Sequence, residues 1–282
     1  MDCTPLDELL ERGEVVYLPT CPFALPVGDD LHFLFAQALG GRRHKNISYD
    51  PHTGEASGFR RQGDEQAMRL THLLADFADT AAGWLTKALP RYAGGWRRDR
   101  ASFRPEEEAT RHLRLHARND LLHIDAFPSR PTGGDRILRL FVNINLSEPR
   151  VWVTSDTFPR LLERFGHVVG LPAGRASLAR RFLRLFDPRP PRSLYDDFML
   201  RLHHHLLSDE HFQEKGPRRF WSFAAGSAWL AFTDSVSHAE LRGRYALEHT
   251  FFVPVDCLVD PVQAPSTLFQ RACGLPLTRG AA

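Results

Sequence analysis

The chain has four cysteines in 282 residues, Cys3, Cys21, Cys257 and Cys273, and none falls in a C-x-x-C spacing. That excludes a structural zinc framework of thiolates. No stretch approaches the run of about 18 apolar residues that a membrane-spanning helix needs. Net charge is only +2, so the chain is no polycation and is not expected to wrap nucleic acid. There is no internal repeat and no low-complexity tract. The opening MDCTPLDELLERGE is acidic where a secretory signal carries a basic region before an apolar run, which predicts a reduced, cytoplasmic protein. A peripheral contact with a membrane surface stays compatible with all of this.

What is present suits a soluble globular protein. Hydrophobic residues make up 43% and charged residues 25%, enough to bury a core without staples, and the length suits one domain. Arginines cluster at Arg42-Arg43, Arg60-Arg61, Arg97 to Arg100, Arg180-Arg181 and Arg218-Arg219. Each patch could meet phosphate or carboxylate groups, or simply be a solvated helix face.

Periodicity organises the chain as strands, a helical insertion, then strands. Pro5 to Arg12 reads as a helix, Glu14 to Leu18 as a strand and Asp30 to Leu39 as a helix. Arg42 to Phe59 is polar and rich in turn signals, and Lys45, Asn46 and Tyr49 in it either face a ligand or cap a loop. In Asp64 to Leu89, Leu70, Leu73, Leu74, Phe77, Ala81, Trp84 and Leu85 form one apolar stripe at helical spacing, stopped by Pro90. Ala101 to Arg104, Arg136 to Asn145 and Val151 to Thr154 read as strands, and Arg-Pro followed by three Glu as an exposed turn. Helices follow over Thr157 to Phe165, from Ser177 to Phe186, and from a cap at Ser193 that buries Tyr195, Phe198, Met199, Leu202 and Leu206. Strands return at Phe220 to Phe223, Ala228 to Phe232, Ser235 to His238 and Arg244 to Val253. The expected organisation is a single unit over 1–282. Residues 1–100 support it, 101–155 and 220–255 form the β core, 156–219 are the insertion and 256–282 a tail.

The central stretch is Asn119 to Val153. Leu121 to Phe127 reads as a strand, so His123 and Asp125 share one face while Leu122, Ile124 and Ala126 take the other. A His and an Asp on an inner strand face are two thirds of the 2-His-1-carboxylate set that holds non-haem Fe(II) with open positions. Alone the pair is unspecific: His238 and Glu240 repeat it, and a hydrogen-bonded His–Asp pair on a half-buried strand gives the same pattern. The third ligand must sit on a later strand. His238 is preferred over His249, because Arg244 follows it and shares a face with the small Ala246, where a planar guanidinium could grip a carboxylate in two parallel bonds. His203-His204-His205 cannot chelate one ion, since consecutive helical side chains splay by about 100°; they are expected at the surface and boundary.

With His-x-Asp, a distal His and a following Arg in place, the chain resembles the Fe(II)/2-oxoglutarate-dependent dioxygenases. More narrowly, KNISYD, ASFRPEEE, NDLLHIDAFPSRPTGGDRILRLFVNIN, RVWVTSD and SHAELRGRYALEHTFFVP are similar to the Kdo 3-hydroxylases of Gram-negative bacteria, over about Glu14 to Leu275. The resemblance implies an α+β chain with a double-stranded β-helix (jelly-roll, cupin-like) core, flanked by N-terminal helices and carrying a helical insertion. It implies Fe(II) on His123, Asp125 and His238, with 2-oxoglutarate and O2 as cosubstrates and Arg244 on the far 2-oxoglutarate carboxylate. It implies hydroxylation at C3 of the terminal Kdo of Kdo2-lipid A, giving Ko, on the cytoplasmic face of the inner membrane. Arg139, Asn143 and Asn145, which alternate along one strand face with Phe141, are further candidates for the cosubstrate or the substrate. Lys45, Arg118, Arg130 and Arg136, with Arg97 and Arg98, could contact the polyanionic lipid. Two other readings stay open: the same chemistry on another substrate such as a protein side chain, and a non-catalytic sugar-binding barrel.

Overall fold

The computed structural model describes residues 4–41, 44–111, 113–171 and 192–275. The helix expected from Ser177 to Phe186 lies outside the described residues, as do Arg42-Arg43, Arg180-Arg181 and Cys3. Ten strands are present among the described residues: β1 (Val16–Leu18), β2 (Ile47–Asp50), β3 (Glu55–Ser57), β4 (Arg97–Arg104), β5 (Arg136–Asn143), β6 (Arg150–Thr157), β7 (Arg219–Phe223), β8 (Ala228–Phe232), β9 (Val236–Arg242) and β10 (Ala246–Val253). They form a seven-stranded sheet in the order β1-β8-β5-β10-β4-β2-β3 and a three-stranded sheet in the order β7-β6-β9. Every pairing is antiparallel, and the two sheets face each other as a jelly roll.

Period-two alternation decides what each face buries. On the large sheet Leu138, Leu140, Val142, Leu230, Leu247 and Phe251 point outward and pack with Leu70, Leu74, Ala81 and Leu85 of the Asp64–Ala88 helix. On the small sheet Val153 and Ala239 point outward under the insertion, against Phe158, Leu161, Phe198, Leu202 and Leu206. Each such large apolar side chain contributes roughly 1.5–3 kcal/mol on burial. The insertion helix Leu194–Ser208 starts at Ser193 in a capping box, where Ser193 Oγ accepts from Asp196 N at 3.0 Å.

The interior between the sheets is divided. One end is aromatic: the Phe223 and Trp229 rings stack 3.9 Å apart, with Phe141 and Trp152 beside them. The other end is ionic, and it carries the His-Asp-His group.

Several local expectations differ from the structure: the helix expected over Asp30 to Leu39 is Gly28–Phe35, and β9 runs on to Arg242 instead of ending at His238. Arg42 to Phe59 contains the β2–β3 hairpin, because pairing with β4 gives its polar residues a sheet neighbour. β4 starts at Arg97, four residues earlier than periodicity suggested, its charged half lying along β10. Leu121 to Phe127 is extended but belongs to no named strand. It touches β9 through a single bridge, His123 to His238.

Candidate active site

The His123 segment runs antiparallel beside β9. His123 N donates to His238 O at 3.1 Å, His238 N donates to His123 O at 2.8 Å, and Glu240 N donates to Asn119 O at 2.8 Å. Asp125 N is tied to Thr233 O at 2.8 Å. Leu122 and Ile124 drop into the apolar layer under the insertion, and this turns His123 and Asp125 into the barrel. His238 projects inward from β9 opposite Thr154, and Trp152 stacks on its ring at 5.2 Å and 17°. One ligand atom from each of His123, Asp125 and His238 lies within 4.8 Å of the others, and all three residues are buried.

The hydrogen bonds orient these atoms. His123 Nδ1 lies 2.7 Å from Leu121 O and His238 Nδ1 lies 3.0 Å from Val236 O. A carbonyl only accepts, so each Nδ1 carries the proton and each Nε2 keeps a free lone pair. Burial lowers both imidazole pKa values, and for His123 the neighbouring His238 adds to this, so both rings are neutral at pH 7. Burial works against ionisation of Asp125, but the Arg139 guanidinium, helped by a hydrogen bond from the Thr233 side chain, outweighs it and holds the carboxyl well below the usual range. Two neutral imidazoles and an ionised carboxylate on one side of a point are the donor set that fits Fe(II) while leaving positions open. The residues present therefore fit the metal.

Around this group the barrel holds a network of buried ions. Arg139 Nη1 donates to Asp125 Oδ2 at 2.8 Å, and its Nη2 pairs with Glu248 Oε2 at 2.6 Å. Arg104 Nε donates to the same Glu248 oxygen at 2.7 Å, and its Nη1 reaches Glu108 at 3.2 Å and Glu240 at 3.7 Å. Arg150 pairs with Glu240. Glu248 stays ionised despite burial because Arg104 and Arg139 flank it, whereas burial raises the Glu108 pKa against the opposing pull of Arg104. Lys45 donates to Asn119 Oδ1 at 3.2 Å; burial, then Arg104, lowers its pKa. Asp125 also borders a small cavity of about 20 Å³ with Tyr195, Asp196 and Asp234. A cavity of about 510 Å³ between Glu8, Glu11, Thr157, Phe158 and Asp260 is lined by none of these site residues.

The structure thus brings together His123, Asp125, His238 and Arg139, with Lys45 close by. It does not bring Arg244 to them. Arg244 is exposed, donates to Pro105 O at 3.2 Å and lies over the Tyr245 ring. The reason is local: Tyr245 has φ 60° and β10 begins only at Ala246, so the alternation that would place Arg244 on the face of Ala246 is broken. Asn143 faces inward, but its amide donates to Glu148 O and Phe223 O while its Oδ1 accepts from Asn145 N, which holds the β5–β6 connection. Asn145 Oδ1 in turn accepts from Ser147 N and Glu148 N. Arg136 points to the other face of β5, buried, with Nε 2.9 Å from Asp234 and its guanidinium over Phe232. Arg130 pairs with Asp99 and lies over Phe127, and Arg118 grips Asp120 through two bonds of 2.9 and 2.5 Å. Arg97 and Arg98 pair with Asp135 and Asp79. His249 points into the helix-covered face, its Nε2 3.2 Å from Asp99 O.

Three groups escaped sequence reasoning. Arg104 sits in a motif that reads as a strand end followed by an exposed turn, yet it shares the inner face with its β10 partner Ala246. Glu248 lies mid-strand, and inward alternation with Ala246 is the signal that could have found it. His203 is half-buried as expected, yet it packs edge-on against His123 at 5.3 Å, a contact its helical position did not disclose.

Comparison with known proteins bears on the chain as a whole. The family described as 3-deoxy-D-manno-oct-2-ulosonic acid (Kdo) hydroxylase matches residues 4–276. A solved apo structure of the Kdo hydroxylase KdoO, a non-haem Fe(II) α-ketoglutarate-dependent dioxygenase, is 35% identical. It superposes with a TM-score of 0.86 over 98% of this chain and 91% of that one. KdoO in complex with α-ketoglutarate and Fe(III) is 34% identical with a TM-score of 0.85, and covers the same 98% and 91%. The complex with cobalt(II) gives 35% and 0.86 over the same shares. No curated protein sequence matches the chain.

Proposed function

The chain belongs to the Kdo hydroxylase family, and from that premise we propose that it hydroxylates C3 of the terminal Kdo of Kdo2-lipid A, giving Ko, with Fe(II), 2-oxoglutarate and O2. The observation that carries the reading is the convergence of two free imidazole Nε2 lone pairs and one ionised carboxylate inside a jelly roll, each oriented by a separate partner.

Iron held by His123, Asp125 and His238 supplies the oxygen-activating redox chemistry, coupled to decarboxylation of 2-oxoglutarate to succinate. The chain's own residues do the rest. Leu121 O and Val236 O hold the two imidazoles in the tautomer that ligates. Arg139 aims the Asp125 carboxylate and keeps it ionised. The far carboxylate of 2-oxoglutarate is assigned to the buried guanidiniums of Arg139 and Arg104 rather than to Arg244, because Arg139 contacts Asp125 and Arg104 meets it at Glu248 inside the barrel, whereas Arg244 lies exposed. Two fixed planar forks can bind a carboxylate with charge-assisted bonds in a site from which water is excluded. Trp152 and Phe141 wall the site on its apolar side and keep it dry.

Lys45, Arg111 and Arg118 lie together and are the cations offered to an anionic sugar acid and the phosphates of its lipid, the two guanidiniums exchanging Glu106, Glu108 and Asp120 for it. Among the described residues no helix is long and apolar enough to cross a membrane. We place the reaction on the cytoplasmic face of the inner membrane, with the protein meeting its lipid-anchored substrate peripherally.

The test is anaerobic titration with Fe(II) and 2-oxoglutarate, followed through the weak visible charge-transfer band, then addition of O2 and Kdo2-lipid A with mass analysis of the lipid. A band and a gain of one oxygen atom support the proposal. A band with an unchanged lipid moves the chemistry to another substrate, and no band returns the barrel to sugar binding. His123→Ala and Asp125→Ala are each expected to abolish turnover; wild-type activity in either would overturn the ligand assignment.

A further inference from the structure

The segment that carries His123 and Asp125 has a neighbour on one edge only. On that edge His123 N and O form one antiparallel bridge with His238, Glu240 N donates to Asn119 O, and Asp125 N donates to Thr233 O just before β9. The other edge exposes the N–H and C=O of Leu122 and the C=O of Ile124, which a sheet would pair with another strand. None is present there among the described residues. The insertion supplies side chains instead. Gln213 Oε1 accepts from Leu122 N at 2.9 Å and Gln213 Nε2 donates to Leu122 O at 2.8 Å, a two-bond pairing of the kind a neighbouring peptide would make. The same Nε2 donates to Leu206 O at 2.8 Å, fastening the amide to the end of the Leu194–Ser208 helix. One step along, His203 lies with Nδ1 2.6 Å from Ile124 O, so Nδ1 bears a proton and donates to it.

We infer that Gln213 and His203 act as a substitute strand: they are positioning residues that hold the backbone on either side of His123 and so fix where its Nε2 and the Asp125 carboxylate point. The inference rests on the metal-ligand reading of His123 and Asp125. Three backbone groups flanking the ligands depend on these two side chains. The Leu122 and Ile124 side chains, buried in the same layer, set depth but not rotation about the strand axis. Groups that orient metal ligands typically contribute 10–100-fold in metal affinity.

The experiment uses the full chain and Co(II), whose visible bands report ligand geometry. Gln213→Ala and His203→Ala are expected to weaken Co(II) binding by about tenfold or more and to shift its bands. His203→Asn, which keeps a donor at the place of Nδ1, is expected to restore binding to within about threefold of the wild type. In metal-free protein, Gln213→Ala is expected to speed hydrogen exchange of the Leu122 amide, a readout independent of any bound ion. Leu161→Ala, a cavity in the same apolar layer, serves as the control for general loosening. It is expected to lower the melting temperature and leave Co(II) binding unchanged. Unchanged Co(II) binding in both alanine variants, or an equal loss in Leu161→Ala, overturns the inference. Failure of the ligand reading itself looks different, since the wild type and His123→Ala would then bind Co(II) alike; that result overturns both.

Discussion

Arg139 stands between two buried carboxylates, and its role differs from that of the exposed Arg244 in a measurable way. Arg139→Ala removes the guanidinium partner of Asp125 and one of the two guanidinium partners of Glu248, and is expected to cost about 3 kcal/mol of stability, as breaking a buried pair does. It should also raise the KM for 2-oxoglutarate. Arg244→Ala is expected to change stability by less than about 0.5 kcal/mol and leave that KM unchanged. Chemical denaturation and steady-state kinetics on the two variants check the contrast, and a rise in KM for Arg244→Ala alone would reverse the assignment. His249 sets a pH dependence. Burial among the helix-covered apolar residues, then Arg98, pushes its pKa down to about 3 from 6.5. Below about pH 6.5 the unfolded chain takes up a proton that the folded chain refuses, so stability falls as pH drops toward 3, by up to about 1.4 kcal/mol per unit. Above pH 6.5 the group contributes no slope. Urea unfolding at pH 7, 6 and 5 should show a shallower fall in His249→Leu than in the wild type; equal slopes would remove His249 as a cause.

At the scale of elements, the link between the insertion helix and the loop after the ligands rests on Asp196. Its Oδ2 accepts from Ser193 Oγ at 2.6 Å and Ser193 N at 3.2 Å, and its Oδ1 accepts from Thr132 N at 2.9 Å and Gly133 N at 3.2 Å. One carboxylate therefore closes a capping box and pins the 127–134 connection between Asp125 and β5. Asp196→Ala is expected to cost about 2 kcal/mol, more than the roughly 1 kcal/mol of a lost cap alone, because the loop amides lose their acceptor too. Thermal unfolding compared with Ser193→Ala tests this: equal losses would mean the loop contacts add nothing. The central strands were legible as short apolar runs buried on both faces, as in Ala228–Phe232 and Arg136–Asn143. The β2–β3 hairpin was not, because its polar residues become strand-like only through pairing with β4.

At the scale of the molecule, two apolar layers clamp an interior whose ionic half contains the metal ligands. The proposed ligands His123, Asp125 and His238 converge only where the small sheet and the His123 segment are in register, so an ion they hold would be a ligand of the folded state alone. Fe(II) or Co(II) at 100 times its Kd is expected to stabilise the fold by about 2.7 kcal/mol. Calorimetric melting with and without a chelator checks this, and an unchanged melting temperature in saturating Co(II) would mean that the three residues hold no metal in solution.

What the amino-acid order determined by itself is what depends on short separations. The His-x-Asp spacing places an imidazole and a carboxylate on one face. Leu122 and Ile124 choose which face is inward and Ser193 starts a helix, whereas the preference for His238 over His249 rested on a following Arg244 that lies outside the site. Tertiary structure alone decided the rest, for reasons of distance and of backbone conformation. The left-handed Tyr245 takes Arg244 out of the alternation its sequence implies. Arg104 meets Glu248 across 144 residues, and Gln213 meets Leu122 across 91. Periodicity carries no information about partners that only folding brings within a hydrogen bond of each other.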